Sequence, residues 1–265
     1  FLPAEDILDL SSKTGDTNVR GGADVLHIAV PVLRRIANFD DLDPLAAEPG
    51  VRLTLVAAGE AIPGDADLIL LPGSKATIDD LKFLHDQGWD IDIKAHVRRS
   101  GMVMGLCGGY QMLGTEVSDP HGIEGEARCV AGLGLLSVET EIGQTKTLNL
   151  VTGSSQHFGT AITGYEIHMG RTNGADCRRP VLEIEGRPEG ASSPDGRIIG
   201  SYVHGIFSNN DFRTAFLADL AARRNKSVEL GTVDFAGNVD AILDQLASHM
   251  AQHLDMDALA EIAGL

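Results

Sequence analysis

The sequence predicts an α/β protein in which a mostly parallel sheet is flanked by helices and followed by a strand-rich second half. Short apolar runs bounded by glycine, proline or polar residues recur through the first half, and buried parallel strands have this pattern. They cover residues 25–30, 51–57, 66–71 and 102–106. Segments of helical periodicity lie between them, and most of the runs from 130 to 200 have strand character.

The helical segments of the first half follow the third apolar run. Ile78, Leu81 and Leu84 recur at helical spacing, and a second apolar series ends before Gly101, which is a helix stop signal. Strands alternating with helices indicate a parallel sheet, whose ligand sites gather at the carboxyl ends of the strands. Three segments of chemical interest follow such strands: 72–75, Cys107, and 202–205.

The second half and the tail complete the predicted organisation. Strands are expected at 133–138, 146–151, 165–168 and 181–184, and a further apolar run at 197–201 leads into 202–205. From residue 235 an apolar stripe of period near 3.6 predicts an amphipathic helix packed on the domain or on an attached one. We therefore divide the chain into a linker from an upstream domain (1–22), the main domain (23–225) and a C-terminal helical extension packed on it (226–265).

Composition narrows the possible partners and the compartment. The hydrophobic content of 43% excludes a disordered chain, and no apolar run reaches the ~20 residues of a membrane span. A net charge of −17 opposes binding to nucleic acid or to an anionic membrane. Three widely spaced cysteines and no signal peptide favour the cytoplasm. The cysteines fit no zinc pattern, and His249 and His253 lack a third ligand, so no metal site is predicted.

Cys107 is the first candidate catalytic residue. Gly105 and Gly109 stand two places either side of it, between an apolar strand and a helix-like segment. This G-x-C-x-G pattern is the thiol version of the nucleophile elbow, where small neighbours permit a strained turn. A helix N-terminus favours the thiolate, and the N–H of Gly108 would form half of an oxyanion hole. The alternative is a small apolar residue that ends a buried strand.

A cysteine nucleophile needs a base within hydrogen-bond reach. His204 is the best candidate because it follows an apolar strand and precedes a glycine; the alternative is a histidine that caps the strand. His168 is the runner-up. The backbone N–H of Gly73 or Ser74 is expected to be the second oxyanion donor. The chain carries no P-loop motif, so it has no ATP site of that type.

Five segments in order resemble the glutamine amidotransferase domain of cobyric acid synthases: 35–45, 71–77, 105–114, 164–170 and 202–207. The resemblance covers nearly the whole chain from about residue 24. It implies a flavodoxin-like, class I, triad-type glutaminase fused after an ATP-using synthetase domain. That complete enzyme amidates peripheral carboxylates of adenosylcobyrinic acid a,c-diamide with ammonia from glutamine.

Carried to matching positions, the resemblance makes Cys107 the nucleophile that forms a thioester and His204 the base. Gln111 matches a residue that holds bound glutamine. Tyr165, Glu166 and His168 match a strand that borders the glutamine pocket. The implied partners are glutamine, the upstream synthetase domain and a corrin bound mainly by that domain. No cofactor is expected in this chain, whereas ATP and Mg²⁺ are expected in the synthetase domain.

One position departs from the class I pattern. Those domains carry a glutamate two places after the histidine, where this chain has Ile206. We therefore expect a catalytic dyad of Cys107 and His204. The orienting acid is either absent or supplied from elsewhere, and Glu166 is the candidate for it. Such a site would suit a glutaminase that stays slow until its synthetase domain is occupied.

Other readings of the sequence remain open. Within the same class, the chain could serve a cobyrinic acid a,c-diamide synthase or a lipid II-type amidotransferase. From other classes, it could be a docking domain without activity or a cysteine hydrolase of small substrates on the same elbow. Modification of Cys107 by a glutamine analogue, with protection by glutamine, separates a glutaminase from the last two.

Overall fold

A computed structural model describes residues 24–231 and 233–264 of the chain. The predicted linker over residues 1–22 lies outside them. The strands are β1 Leu26–Pro31, β2 Ile36–Ala37, β3 Val51–Val56, β4 Leu68–Leu71, β5 Gly73–Ser74, β6 Met102–Leu106, β7 Glu116–Asp119, β8 Arg128–Ala131, β9 Val138–Ser155, β10 Thr160–Gly174, β11 Leu182–Ile184, β12 Arg187–Glu189, β13 Ala191–Ser192, β14 Ile198–Ser201 and β15 Val203–His204. The α-helices are α1 Asp43–Ala46, α2 Thr77–Asp86, α3 Trp89–Arg98, α4 Gly108–Leu113, α5 Asn210–Arg223, α6 Phe235–His253 and α7 Met256–Ala263. Short 3-10 helices cover Phe39–Asp41, Ala175–Arg178 and Ile206–Ser208.

The first sheet confirms the predicted α/β architecture. Its strands lie in the order β13, β14, β6, β4, β1 and β3, and all neighbours are parallel except the β13–β14 pair. Side chains that alternate along the strands enter two separate apolar clusters, one with α2, α3 and α4 and the other with α5. The sheet is therefore covered on both faces, which explains why its strands are continuous apolar runs.

The second sheet is antiparallel along its main path and contains the strand-rich second half. Its strands lie in the order β12, β11, β9, β10 and β15, and β7 joins its side by pairing with β8 and β9. The long hairpin of β9 and β10 contains the runs predicted at 146–151 and 165–168, and β11 contains most of the run at 181–184. Both sheets converge near β15, because only Tyr202 separates β14 of the first sheet from β15 of the second.

The strand predicted at 133–138 is wrong for all but its last residue, since β9 begins at Val138. The N–H groups of Leu133, Leu135 and Leu136 instead donate to carbonyls at the end of α4, at 2.8–3.0 Å. Leu133 and Leu136 are buried in the core. The apolar character that predicted a strand therefore belongs to a connection that closes over a helix end.

The C-terminal extension is helical as predicted, but most of its apolar face is not packed on the domain. Neither α6 nor α7 has a buried residue. The extension is attached near its start, where the Asn210 side chain accepts from Phe235 N at 3.3 Å and donates to Asp234 Oδ1 at 2.9 Å. Phe235, Val239 and Ile242 are partly buried, whereas the large apolar residues of the stripe from Leu243 onward are exposed. No helix in the described part of the chain is long and apolar enough to cross a membrane.

Candidate active site

Cys107 occupies the turn between β6 and α4. Its backbone has φ 50° and ψ −109°, a conformation that L-residues adopt rarely. Such a conformation persists only where the surrounding structure enforces it. A Cβ at Gly109 would lie 2.2 Å from the carbonyl oxygen of Leu71, so only glycine lets α4 approach the neighbouring strand this closely. The Cys107 thiol donates to the carbonyl oxygen of Ile167 on β10 at 3.4 Å. The predicted elbow is present.

His204 ends β15 and is fully buried. Its Nδ1 lies 2.6 Å from Oδ2 of Asp41, and the other oxygen of that carboxylate accepts from the N–H of Gly205 at 2.7 Å. Asp41 therefore holds both the imidazole and the backbone that carries it. The opposite nitrogen, Nε2, is buried and makes no hydrogen bond within residues 24–231 and 233–264. The Cys107 thiol lies near enough to interact with the imidazole electrostatically.

The electrostatics of His204 follow from these neighbours. Burial alone would lower the pKa of His204, but Asp41 and Cys107 raise it to about 10. A carboxylate on one side and a thiol that can ionise on the other both favour the charged imidazolium. The His204 side chain is therefore an imidazolium at neutral pH, beside the sulfur of Cys107.

The expected dyad is wrong, because Asp41 supplies an orienting carboxylate at Nδ1. Ile206, at the position where class I domains carry glutamate, is fully buried in the core. Glu166 is not the orienting acid either. Its carboxylate pairs with Arg187, and its strand position faces away from that of Tyr165, the cross-strand neighbour of His204.

The predicted oxyanion donors lie together beside the elbow. A Cβ built on Gly73 would be 3.2 Å from Cε1 of His204, and one built on Gly108 would be 2.9 Å from the backbone nitrogen of Ser74. Residues 73–74 form β5, which pairs with β2. The Ser74 hydroxyl donates to the Asp80 carboxylate at 2.6 Å, and this bond fixes the position of β5. The oxyanion role of Gly73, Ser74 and Gly108 stays a prediction.

Gln111 is buried on α4, and its side-chain amide is bonded within the protein. Its nitrogen donates to the carbonyl of Met169 at 3.1 Å and to the hydroxyl of Tyr202 at 3.2 Å. Its oxygen accepts from the Thr77 hydroxyl at 2.7 Å. In this arrangement the amide joins α4 to β10 and to the start of α2. The predicted contact with glutamine stays a prediction.

The three predicted pocket residues on β10 divide between its two faces. Glu166 and His168 line a cavity of about 690 Å³ together with Asn149, Arg171 and Arg187. The His168 ring stacks on Tyr202 at a centroid distance of 3.9 Å, and burial lowers its pKa. Tyr165 is on the other face, where its ring stacks on His204. The residues that line this cavity include neither Cys107 nor His204, and the predicted contacts of Tyr165, Glu166 and His168 with glutamine stay predictions.

Asp41 is the site residue that sequence reasoning missed. It lies 163 positions before His204. Its segment, 35–45, contributed to the family resemblance but was assigned no site residue. One available signal was its location after β1, since sites on parallel sheets collect at carboxyl ends of strands. In the sheet, β14, β6, β4 and β1 are consecutive, and the segments after them carry His204, Cys107, Gly73 and Asp41.

No group of three potential metal ligands occurs in the part of the chain that the structure describes.

The fold is that of class I glutamine amidotransferases. The chain is similar to PurLQS from Thermotoga maritima, with a TM-score of 0.56 and 18% sequence identity over 74% of this chain and 99% of that one. It is also similar to a GMP synthase component from Thermoplasma acidophilum, with a TM-score of 0.51 and 15% identity over 77% of this chain and 98% of that one. Identities this low establish the fold alone.

Within that class, the chain belongs to the CobB/CobQ-like glutamine amidotransferase domain family, whose model matches residues 27–212. It is 52% identical to cobyric acid synthase of Paracoccus denitrificans over 262 residues, which are 99% of this chain and 51% of that protein. It is 53% identical to cobyric acid synthase of Rhodobacter capsulatus over 264 residues, 99% of this chain and 52% of that protein. The chain thus spans about half the length of these relatives.

Proposed function

We propose that this chain hydrolyses glutamine through a thioester on Cys107 and supplies the ammonia to an ATP-dependent synthetase domain that amidates corrin side-chain carboxylates. The observation that carries the proposal is the arrangement of Cys107, His204 and Asp41 at the carboxyl edge of the parallel sheet. The family supports the glutaminase reaction. The relatives of about twice this length, in which the chain corresponds to the C-terminal half, support the synthetase partner.

The first half-reaction uses the thiolate and the imidazolium. The Cys107 sulfur attacks the side-chain amide carbon of glutamine, and the carbonyl electron pair moves to oxygen. Backbone N–H groups of Gly108 and of the 73–74 turn would stabilise that oxyanion. When the tetrahedral intermediate collapses, the C–N bond breaks and His204 gives its proton to the departing nitrogen. Ammonia leaves, and the acyl group remains as a thioester.

The second half-reaction regenerates the enzyme. His204, now neutral at Nε2, takes a proton from water, whose oxygen attacks the thioester carbon. Collapse of the second oxyanion breaks the C–S bond and releases glutamate and the thiolate. Asp41 holds the Nδ1 proton throughout, so the nitrogen that exchanges protons is always the one beside Cys107. The glutamine contacts proposed for Gln111, Tyr165, Glu166 and His168 rest on the family resemblance.

Ammonia release from glutamine by the wild type, Cys107→Ala and Cys107→Ser tests the glutaminase step. We expect release from the wild type and a loss of at least about 1,000-fold in both variants, because no other thiol lies at the elbow. An alkylating glutamine analogue should modify Cys107, and glutamine should protect it. Failure of wild-type enzyme to release ammonia, alone or joined to its synthetase partner, would refute the reaction.

The acceptor is tested separately in the complete polypeptide. With ATP, Mg²⁺ and glutamine, we expect added amide groups on adenosylcobyrinic acid a,c-diamide and none on cobyrinic acid or on lipid II. Amidation of cobyrinic acid or of lipid II instead would assign the chain to a different amidoligase. The glutaminase conclusion would survive that outcome.

A further inference from the structure

The hydroxyl of Tyr165 is occupied by groups of the protein itself. It accepts a hydrogen bond from Nδ2 of Asn38 at 2.6 Å and donates one to Oδ2 of Asp40 at 3.3 Å. The only proton of the phenol is therefore committed. The Tyr165 ring lies against the His204 imidazole, with ring centroids 5.2 Å apart and planes inclined by 21°. Tyr165 thus touches both the base and the segment that carries the orienting acid.

That segment is short and is held at several points. Asn38 and Asp41 both lie within residues 36–41, which form β2 and the following 3-10 helix. Asn38 has φ 57° and ψ 57°, a left-handed conformation that asparagine adopts more readily than most residues other than glycine. On one side β2 pairs with β5, and on the other side Asn38 donates a hydrogen bond to Tyr165. The contact with Tyr165 therefore ties residues 36–41 to β10.

We propose that Tyr165 is a positioning residue for the His204–Asp41 pair: its ring supports the imidazole plane, and its hydroxyl, through Asn38, holds the segment from which Asp41 reaches Nδ1. This inference rests on the proposed glutaminase function and differs from the contact with glutamine that the family resemblance implies for Tyr165. The distinction is measurable. A substrate contact mainly affects KM, whereas the positioning of a base affects kcat.

Two variants remove the hydrogen bond between Asn38 and Tyr165 from opposite ends, and Tyr165→Phe also removes the bond to Asp40. Tyr165→Phe keeps the ring on His204 and deletes the hydroxyl, while Asn38→Gly deletes the amide and tolerates the left-handed backbone. Each is expected to lower kcat about 3- to 10-fold, the usual effect of one hydrogen bond, with KM for glutamine within about twofold of wild type. The double variant should lose no more than the more impaired single variant, because one interaction cannot be removed twice.

A second readout does not involve glutamine. The rate at which iodoacetamide alkylates Cys107 reports how well His204 supports the thiolate, and it should fall in both variants in parallel with kcat. Leu150→Ala is the matched control. Leu150 is the cross-strand partner of Tyr165 on β9, is 87% exposed and should give wild-type kcat, KM and alkylation rate.

Three results would overturn the proposal. A raised KM with unchanged kcat and alkylation rate would make Tyr165 a glutamine contact. Losses that multiply in the double variant would mean that the two residues act independently, and wild-type values in both single variants would show that the bond does nothing. If the wild type hydrolyses no glutamine, the proposed function fails, but the alkylation rates still decide whether Tyr165 positions His204. Asn38→Gly provides the answer if Tyr165→Phe does not fold.

Discussion

His204 is hydrogen-bonded at Nδ1 and makes no hydrogen bond at Nε2 within the described residues, which in the proposed mechanism leaves Nε2 for proton transfer. Asp41 fixes Nδ1, and Nε2 has no partner among the described residues but faces the region of the thiol. An imidazole held in this way presents the correct tautomer to the reacting atoms without reorganisation during the reaction. The carboxylate comes from a distant segment, so its contribution depends on the packing of residues 36–41 against β5 and β10.

Replacing Asp41 by asparagine should lower kcat by about 100-fold or more, because the imidazole loses both its orientation and its charge partner. The pH profile should change as well. Asp41 raises the pKa of His204, which is about 10 in the folded protein against 6.5 ordinarily, so imidazolium persists in the wild type until the pH rises through that value. In Asp41→Asn the alkaline loss of kcat should begin at lower pH.

The measurement is glutaminase kcat from about pH 6 to about pH 10.5, a range that spans the ordinary and the raised histidine pKa, with Asp79→Asn as the control. Asp79 is an exposed carboxylate that pairs with Arg128 and should leave the profile unchanged. An Asp41→Asn profile that coincides with that of the wild type would show that Asp41 does not act on His204.

At the scale of elements, the site depends on the point where one strand leaves the first sheet and enters the second. Glu189, buried on β12, accepts from Tyr202 N at 2.6 Å and from the Ser201 hydroxyl at 2.8 Å. These bonds hold the one-residue link between β14 and β15 and thereby direct His204 toward the elbow. Burial raises the pKa of Glu189 to about 7. The link is therefore sensitive to pH.

The variant Glu189→Gln should gain stability over the wild type as the pH rises. The folded-state pKa of Glu189 lies above its unfolded value of 4.5, so its protonation stabilises the folded state at low pH and this contribution is lost as the pH rises through 7. Glutamine does not titrate. The free energy of unfolding of the variant relative to the wild type should rise by about 2 kcal/mol between about pH 5 and about pH 8.

Urea unfolding at the two pH values measures this difference. Glu183→Gln, which alters an exposed carboxylate on the adjacent strand β11, controls for the loss of a charge from an acidic protein. If the free energy of unfolding of Glu189→Gln differed from that of the wild type by the same amount at both pH values, the pKa of Glu189 would not be elevated.

At the scale of the whole molecule, the described chain has an α/β domain with a buried apolar core and a helical extension. From Leu243 onward, the large apolar side chains of α6, α7 and the link between them are between 38% and 84% exposed. They are Leu243, Leu246, Met250, Leu254, Met256, Leu259 and Ile262. An apolar surface of this extent contributes little to the stability of the domain and favours association with other apolar surfaces.

The double variant Leu246→Gln/Leu259→Gln should therefore change the free energy of unfolding by no more than about 0.5 kcal/mol. It should also reduce the fluorescence of an apolar dye bound to the native chain. Leu220→Ala in the core helix α5 is the contrast, with an expected loss of about 3 kcal/mol. A comparable loss in the double variant would mean that the stripe is packed on the domain.

The sequence by itself determined the α/β class, most of the strands and helices, and the candidates Cys107 and His204. These features have local signals: apolar runs mark buried strands, and glycines around a cysteine mark the elbow. The structure then brought Gly73, Ser74 and Gly108 close to both residues, as the shared edge of a parallel sheet predicts.

Only the tertiary structure decided the rest. The contact between Asp41 and His204 joins residues 163 positions apart, and no local pattern distinguishes Asp41 from its neighbour Asp40. The apolar stripe on α6 and α7 predicted a packed helix, yet periodicity shows only which face is apolar and not what covers it. The same limit applies to Tyr165, whose partners Asn38, Asp40 and His204 are known only once the strands are paired.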